Sequence, residues 1–229
     1  MKCQGSKGLA ESQTQRKEHL YKRPFDLSIL VLAHLFPLLF PVWVLLWVSI
    51  PLAIWLQDRG PVFYRQKRVG KNGRVFTLRK FRTMVPDADR RGPAWTTPSD
   101  RRFTPFGKLL RRTALDELPG LLSICKGDMS FVGPRALDVE EQGWLESQIP
   151  GFKDRLGVRP GLTGLAQVYD KTDEAPVKLR YDLDYVQHMN IWLDLKLIVL
   201  SVRNTLLCQW DRRSGKSVRQ THGVSGRQE

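Results

Sequence analysis

Leu27 to Leu56, "LSILVLAHLFPLLFPVWVLLWVSIPLAIWL", runs for 30 residues without a single Asp, Glu, Lys or Arg. A soluble domain of 229 residues has no need of so long an uncharged run, so this segment is expected to meet lipid. Its length and the absence of a small-residue cleavage site argue against a signal peptide. As one straight helix it would measure about 45 Å at 1.5 Å per residue, whereas the hydrocarbon core is about 30 Å thick. Pro37, Pro41 and Pro51 interrupt it. Pro41 lies near the middle, where proline removes a backbone donor and clashes with the preceding turn. Each half is then roughly 21–22 Å long, too short to cross. Arg16, Lys17, Lys22 and Arg23 precede the segment, and Arg59, Arg65, Lys67 and Arg68 follow it. Equal positive flanks favour neither direction of a single crossing and suit two ends that stay on the same side. The expectation is a re-entrant helix–break–helix hairpin broken at Pro41. A single kinked transmembrane helix is the competing arrangement.

The remainder carries the charge. Lys and Arg number 37 against 23 Asp and Glu, a net charge of +14. Such an excess points to an anionic partner: nucleic acid, a phospholipid surface or a phosphorylated substrate. Three widely spaced cysteines, Cys3, Cys125 and Cys208, form neither a disulfide framework nor a zinc-ligand spacing. Four scattered histidines give no metal motif either.

The expected organisation is a disordered tail over 1–18, a membrane hairpin over 19–58, a folded domain with interfacial helices over 59–210, and a basic disordered tail over 211–229. After the apolar segment, two β-prone runs flank "KNG". Asn72-Gly73 predicts a β-hairpin, because both residues accept positive φ. Residues 86–101 read as a loop. "FGKLLRR" predicts a short helix with Phe106, Leu109 and Leu110 on one face. A second helix is expected to begin near Asp116, with Pro119 in its first turn. "IWLDLKLIVLSVRNTLLCQW", from Ile191 to Trp210, predicts an interfacial or core helix, with Trp192 and Trp210 suited to a headgroup boundary. The fold class is therefore α+β, mainly helical, with a small β-hairpin.

"RRTALDELPGLL" sets Asp116 and Glu117 side by side directly after Arg111 and Arg112. In isolation the pair is an ordinary helix N-terminal cap. Nearby cations are expected to hold Asp116 ionised well below pH 7. A carboxylate beside bound phosphate then needs Mg²⁺ to offset repulsion, or can itself attack phosphorus. Arg135, after Gly133-Pro134, and Arg159, before Pro160-Gly161, sit on turns that suit phosphate contacts. "RKFRTM" adds Lys80 and Arg82, and "RYDLDYV" adds Asp182 and Asp184.

Taken together, "KRPFD", "GPVFYRQKRVGKNGRVFTLRKFRTM", "TPFGKLLRRTALDELPGLL", "KGDMSFVGPR", "RPGLTGLAQV" and "YDLDYV…WLDLKLI" resemble the bacterial sugar transferases. These are the monotopic polyprenyl-phosphate phosphoglycosyl transferases, and the expected likeness is to their minimal form. It runs from about Lys22 to Leu207. It implies an enzyme of the bacterial inner membrane, on the cytoplasmic leaflet, taking a UDP-sugar and undecaprenyl phosphate as substrates and Mg²⁺ as cofactor. Such an enzyme opens the assembly of exopolysaccharide, capsule, O-antigen or glycoprotein. The resemblance makes Asp116 the nucleophile and an Mg²⁺ contact, with Glu117 assisting. It places Lys80, Arg82, Arg112, Arg135 and Arg159 near phosphates and Asp182 in the same site. Membrane lipids are expected partners, nucleic acid is not, and a homo-oligomer is allowed. Some members carry Ser-Pro at the hairpin break where this chain has Phe40-Pro41. The rival from another class is a membrane-tethered basic nucleic-acid-binding protein, although no nucleic-acid module is visible.

Overall fold

The computed structural model describes residues 5–36, 40–90, 100–170, 172 and 174–210, with only the backbone described for 5–19 and 89. The tail expected over 211–229 and most of the 86–101 loop lie outside these residues. Helix α1 spans Gly5–Leu35. It begins inside the polar segment expected to lack order, where Ala, Glu, Gln, Lys and Arg all favour helix. Helix α2, Phe40–Asp58, is long and apolar enough by composition to cross a membrane.

The break expected at Pro41 is not seen at that residue. Pro41 is the second residue of α2, in the first turn, where its missing N–H costs nothing. Helix α1 ends at Leu35 and α2 begins at Phe40, and residues 37–39 between them lie outside the described residues. His34 stacks on Trp43 with ring centroids 4.5 Å apart. Nine residues of straight helix would separate them by about 13.5 Å along the axis, so α1 and α2 are not one continuous straight helix.

Strands β1 (Phe63–Val69) and β2 (Val75–Phe81) form the expected antiparallel hairpin, in register Phe63↔Phe81 to Val69↔Val75. Asn72 and Gly73 take φ of 55° and 79°, as their sequence demands. Helix α3 is Pro105–Thr113, capped by the Thr104 hydroxyl, which accepts from the Gly107 N–H. Leu110 is buried and Phe106 partly so, but Leu109 is exposed rather than sharing their face. Helices α4 (Leu121–Lys126), α5 (Val139–Gln148), α6 (Leu165–Tyr169), α7 (Ala175–His188) and α8 (Ile191–Leu206) complete the body.

One element was not foreseen. β3 (Ser130–Val132) and β4 (Gly161–Thr163) pair in parallel and bring the "GPR" and "RPGLTG" turns together. Their approach needs glycine: a Cβ on Gly161 would lie 2.1 Å from the Gly133 nitrogen.

The apolar segment is packed against this body at both ends. Leu30 and Trp43 pack on Phe76, Leu78, Leu121, Ile124 and Met129, while Ile50 and Ile54 of α2 pack with Phe81 and Leu110. At the start of the segment, Lys22 is buried. Its ammonium donates to the Val132 carbonyl at 2.7 Å and to Tyr185, and lies 2.8 Å from Asp194. Asp26 accepts from the Ser130 hydroxyl and the Phe131 N–H. At the far end Asp58 pairs with Arg82. On α8, Trp192, Val199, Val202 and Leu206 form an exposed apolar stripe on the face opposite buried Asp194 and Leu197.

Candidate active site

Asp116 and Glu117 open a 3₁₀ turn, Leu115–Gly120, not the α-helix expected there. Ala114 ends α3 in the left-handed region, at φ 55° and ψ 18°, and reverses the chain in one residue. A non-glycine residue in that region is strained, and the strain stands directly before the acidic pair. Asp116 is buried and Glu117 half-buried.

The cations divide unevenly. Lys80, on the face of β2 shared with Phe76 and Leu78, donates to a Glu117 oxygen at 2.6 Å. Arg135 donates to the same oxygen at 2.9 Å. Burial alone would raise the Glu117 pKa, but Lys80 and then Arg135 outweigh it and hold the carboxyl well below the usual range. Asp116 gains no such bond among the described residues. Burial pushes its pKa from 3.8 up to about 6; the pull of Lys80 opposes this and the neighbouring Glu117 charge adds to it. The expectation that cations would keep Asp116 strongly acidic is thus overturned. The cations that come near are satisfied by Glu117, and loss of water dominates at Asp116.

A small open pocket lies beside the pair, lined by Arg68, Lys80, Glu117 and Arg135 over an apolar floor of Leu78, Met129 and Leu162. Arg68 was missed from the sequence. Its Nη1 donates to the Ala136 carbonyl at 2.8 Å, while its Nε is buried without a hydrogen-bond partner. Burial, and then the charge of Arg135, lower the Arg68 pKa. Three cations, Arg68, Lys80 and Arg135, converge on the pocket with donors suited to a phosphate or diphosphate.

The other expected site residues lie elsewhere. Arg82 is buried on the opposite side of the strand end, paired with Asp58 and packed on Gly60. The Lys80–Arg82 alternation fails because β2 ends at Phe81. Arg112 is exposed on α3 and makes no ion pair with a described residue. Arg159 donates through Nε to the Gly127 carbonyl at 2.9 Å, at the end of α4, and does not line the pocket. Asp182 is buried on α7 and bound to Arg155 at 2.8 Å. Burial raises the Asp182 pKa and Arg155 opposes the rise.

No cluster of three or more His, Cys, Asp or Glu occurs among the described residues. The acidic pair is what this site offers a divalent cation. That fits Mg²⁺, which takes one or two carboxylates and completes its shell with substrate phosphates and water. With Glu117 held by two cations, Asp116 is the carboxylate left available.

A family model described as bacterial sugar transferase matches residues 17–208. A UDP-glucose:undecaprenyl-phosphate glucose-1-phosphate transferase of Xanthomonas campestris pv. campestris is 38% identical over 187 residues, covering 79% of this chain and 37% of the relative. A UDP-N-acetylgalactosamine-undecaprenyl-phosphate N-acetylgalactosaminephosphotransferase of Aeromonas hydrophila is 34% identical over 189 residues, covering 81% and 43%. The chain thus spans less than half the length of these two curated relatives. An exopolysaccharide production protein, PSS, of Rhizobium leguminosarum bv. phaseoli is 39% identical over 197 residues, covering 81% of this chain and 94% of the relative.

Proposed function

The chain belongs to the bacterial sugar transferase family, and from that premise we propose that it transfers a sugar 1-phosphate from a UDP-sugar to undecaprenyl phosphate. The observation that carries this is the division of labour in the acidic pair: Glu117 anchors Lys80 and Arg135 beside the pocket, while adjacent Asp116 is buried with no cation bonded to it among the described residues.

In the proposed reaction, Lys80, Arg68 and Arg135 receive the diphosphate oxygens of the UDP-sugar. An Asp116 carboxylate oxygen attacks the sugar-linked phosphorus. The bond from that phosphorus to the bridging oxygen breaks, UMP leaves with the electron pair, and the phosphosugar remains on Asp116. A phosphate oxygen of the lipid then attacks the same phosphorus. The Asp116–phosphorus bond breaks, the carboxylate is restored, and polyprenyl-diphospho-sugar departs. Asp116, with the substrate phosphates, would hold Mg²⁺, which supplies charge neutralisation when bound. The decisive experiment presents the purified protein with a panel of UDP-sugars, Mg²⁺ and undecaprenyl phosphate. UMP released with one or a few sugars is the expected result, and no UMP from any would overturn the assignment.

A pH dependence follows. The nucleophile must be ionised, and Asp116 gains its charge only through about pH 6. kcat/KM is expected to rise about tenfold per pH unit below that point and to level off above it. Folding stability has the opposite slope. Between the unfolded value of 3.8 and about 6 the folded chain keeps a proton that the unfolded chain has lost, so this group makes stability fall as pH rises through that window. A rate that stays flat down to pH 4.5 would exclude Asp116 as the titrating nucleophile.

The apolar hairpin is proposed to be re-entrant, holding the pocket at the cytoplasmic headgroup layer, with the exposed stripe of α8 against lipid. Support comes from the two ends: Lys22 and Asp26 bind the body at one, and Asp58 binds it at the other. The expected result with cysteines placed at exposed Leu20 and Arg65, in a background lacking Cys3, Cys125 and Cys208, is labelling from the same side. Labelling from opposite faces would establish a crossing instead.

A further inference from the structure

Arg155 lies outside the pocket, 3% exposed, on the turn Phe152–Gly157. Each of its nitrogens reaches a different element. Nε donates to Asp182 of α7 at 2.8 Å, Nη1 to the Gln142 side chain of α5 at 3.1 Å, and Nη2 to the backbone carbonyl of Arg135 at 2.7 Å. The guanidinium also stands over the Phe152 ring, 5.3 Å from its centroid. Phe152 is itself packed among Leu145, Leu179 and Leu137. Two helices thus lock the Arg155 fork, and the fork's third arm holds the main chain of the residue that grips Glu117.

Resting on the transferase assignment above, we infer that Arg155 is a positioning residue for Arg135. It fixes the Arg135 backbone so that its guanidinium meets Glu117 and keeps its remaining N–H groups toward the pocket. Asp182 and Gln142 serve the site through Arg155 and do not touch substrate. Arginine is required because one rigid planar group must supply three divergent donors, and a lysine ammonium is a single point on a flexible stem. Other ties on this stretch are the bond from Gly161 N–H to the Pro134 carbonyl and that from Arg68 to Ala136. Arg135 also forms an isolated parallel bridge with Gly161, which holds its main chain from the β4 side, while Arg155 holds its carbonyl from the side of α5 and α7.

The test is a double-mutant cycle, since two residues that act through one contact are non-additive. Arg155→Lys is expected to lower kcat/KM for the UDP-sugar at least tenfold while thermal unfolding stays cooperative. Arg135→Gln is expected to lower it about a hundredfold. The double variant should match Arg135→Gln alone. Losses that multiply, or an Arg155→Lys variant with wild-type kcat/KM, would overturn the inference. If Arg155→Lys does not fold, Gln142→Ala replaces it, because this removes one support without stranding a buried charge. A roughly threefold loss that vanishes in the Arg135→Gln background is then expected, and an equal loss in both backgrounds refutes the role. Binding of inorganic pyrophosphate, measured by calorimetry, separates this inference from the reaction. A wild-type protein that releases no UMP, yet binds pyrophosphate at least fivefold more tightly than Arg155→Lys, would overturn the transferase assignment and retain Arg155. Equal pyrophosphate affinity in the two proteins would overturn Arg155 alone.

Discussion

UMP release from every UDP-sugar is expected to fall by at least about 1,000-fold in Asp116→Asn, because the amide cannot accept a phosphosugar, and loss of a nucleophile is among the largest single-residue effects in catalysis. The substitution is nearly isosteric. Among the described residues Asp116 carries no ion pair whose loss would strand a cation, and near pH 6 half of its population is already uncharged. Folding and membrane association should therefore survive, which makes the activity loss interpretable. The intermediate gives an independent readout. Wild-type protein given UDP-sugar without lipid acceptor is expected to release about one equivalent of UMP and to gain the mass of one phosphosugar. Asp116→Asn should do neither. Full turnover in this variant would remove Asp116 from the role of nucleophile, and an unchanged mass in active wild-type protein would argue for direct transfer to lipid.

Lys22→Met is expected to be the most destabilising single substitution outside the pocket. Lys22 and Asp194 are 2% and 0% exposed, and the ammonium also serves Val132 and Tyr185. Removing it leaves Asp194 and nearby Asp26 as buried carboxylates without their cation. Breaking a buried pair in this way costs about 3–5 kcal/mol, or roughly 6–20 °C in melting temperature for a domain of this size. Thermal unfolding in lipid nanodiscs would measure it. Replacing both partners, Lys22→Met with Asp194→Leu, is expected to recover part of the loss, since it removes one stranded carboxylate and leaves Asp26 with its bonds from Ser130 and Phe131. A single variant that melts with wild-type protein would mean that the cluster is open to water.

The features legible in sequence were those encoded by neighbours along the chain. The uncharged run, the Asn72-Gly73 turn and the amphipathic stripe of α8 all follow from local pattern, and all are present. The acidic pair with Lys80 and Arg135 was also found. What stayed hidden depends on partners distant in sequence, or on where an element stops. Arg82 shares a parity with Lys80, but the strand ends between them, so it turns to Asp58. Asp182 looked like a pocket residue until its partner proved to be Arg155, 27 positions away. The reversal at Ala114 carries no glycine to announce it. The protonation of Asp116 was misjudged for a related reason. Sequence counts the cations nearby, whereas the pKa depends on which carboxylate they bond and how much water remains.

The bonds that seat the start of the hairpin also impose an order on its biosynthesis. Tyr21 and Asp194, which share a hydrogen bond, are 173 positions apart, and Lys22 waits equally on Tyr185. At about 5–20 residues per second, translation takes roughly 10–35 s to bridge that distance. For most of that interval, once Leu56 has been added, the apolar segment exists while its seat on α7 and α8 does not. Lipid or a chaperone must cover it in the meantime. Covering of the apolar segment therefore precedes tertiary assembly, and the contacts of Tyr21 and Lys22 with α7 and α8 form last.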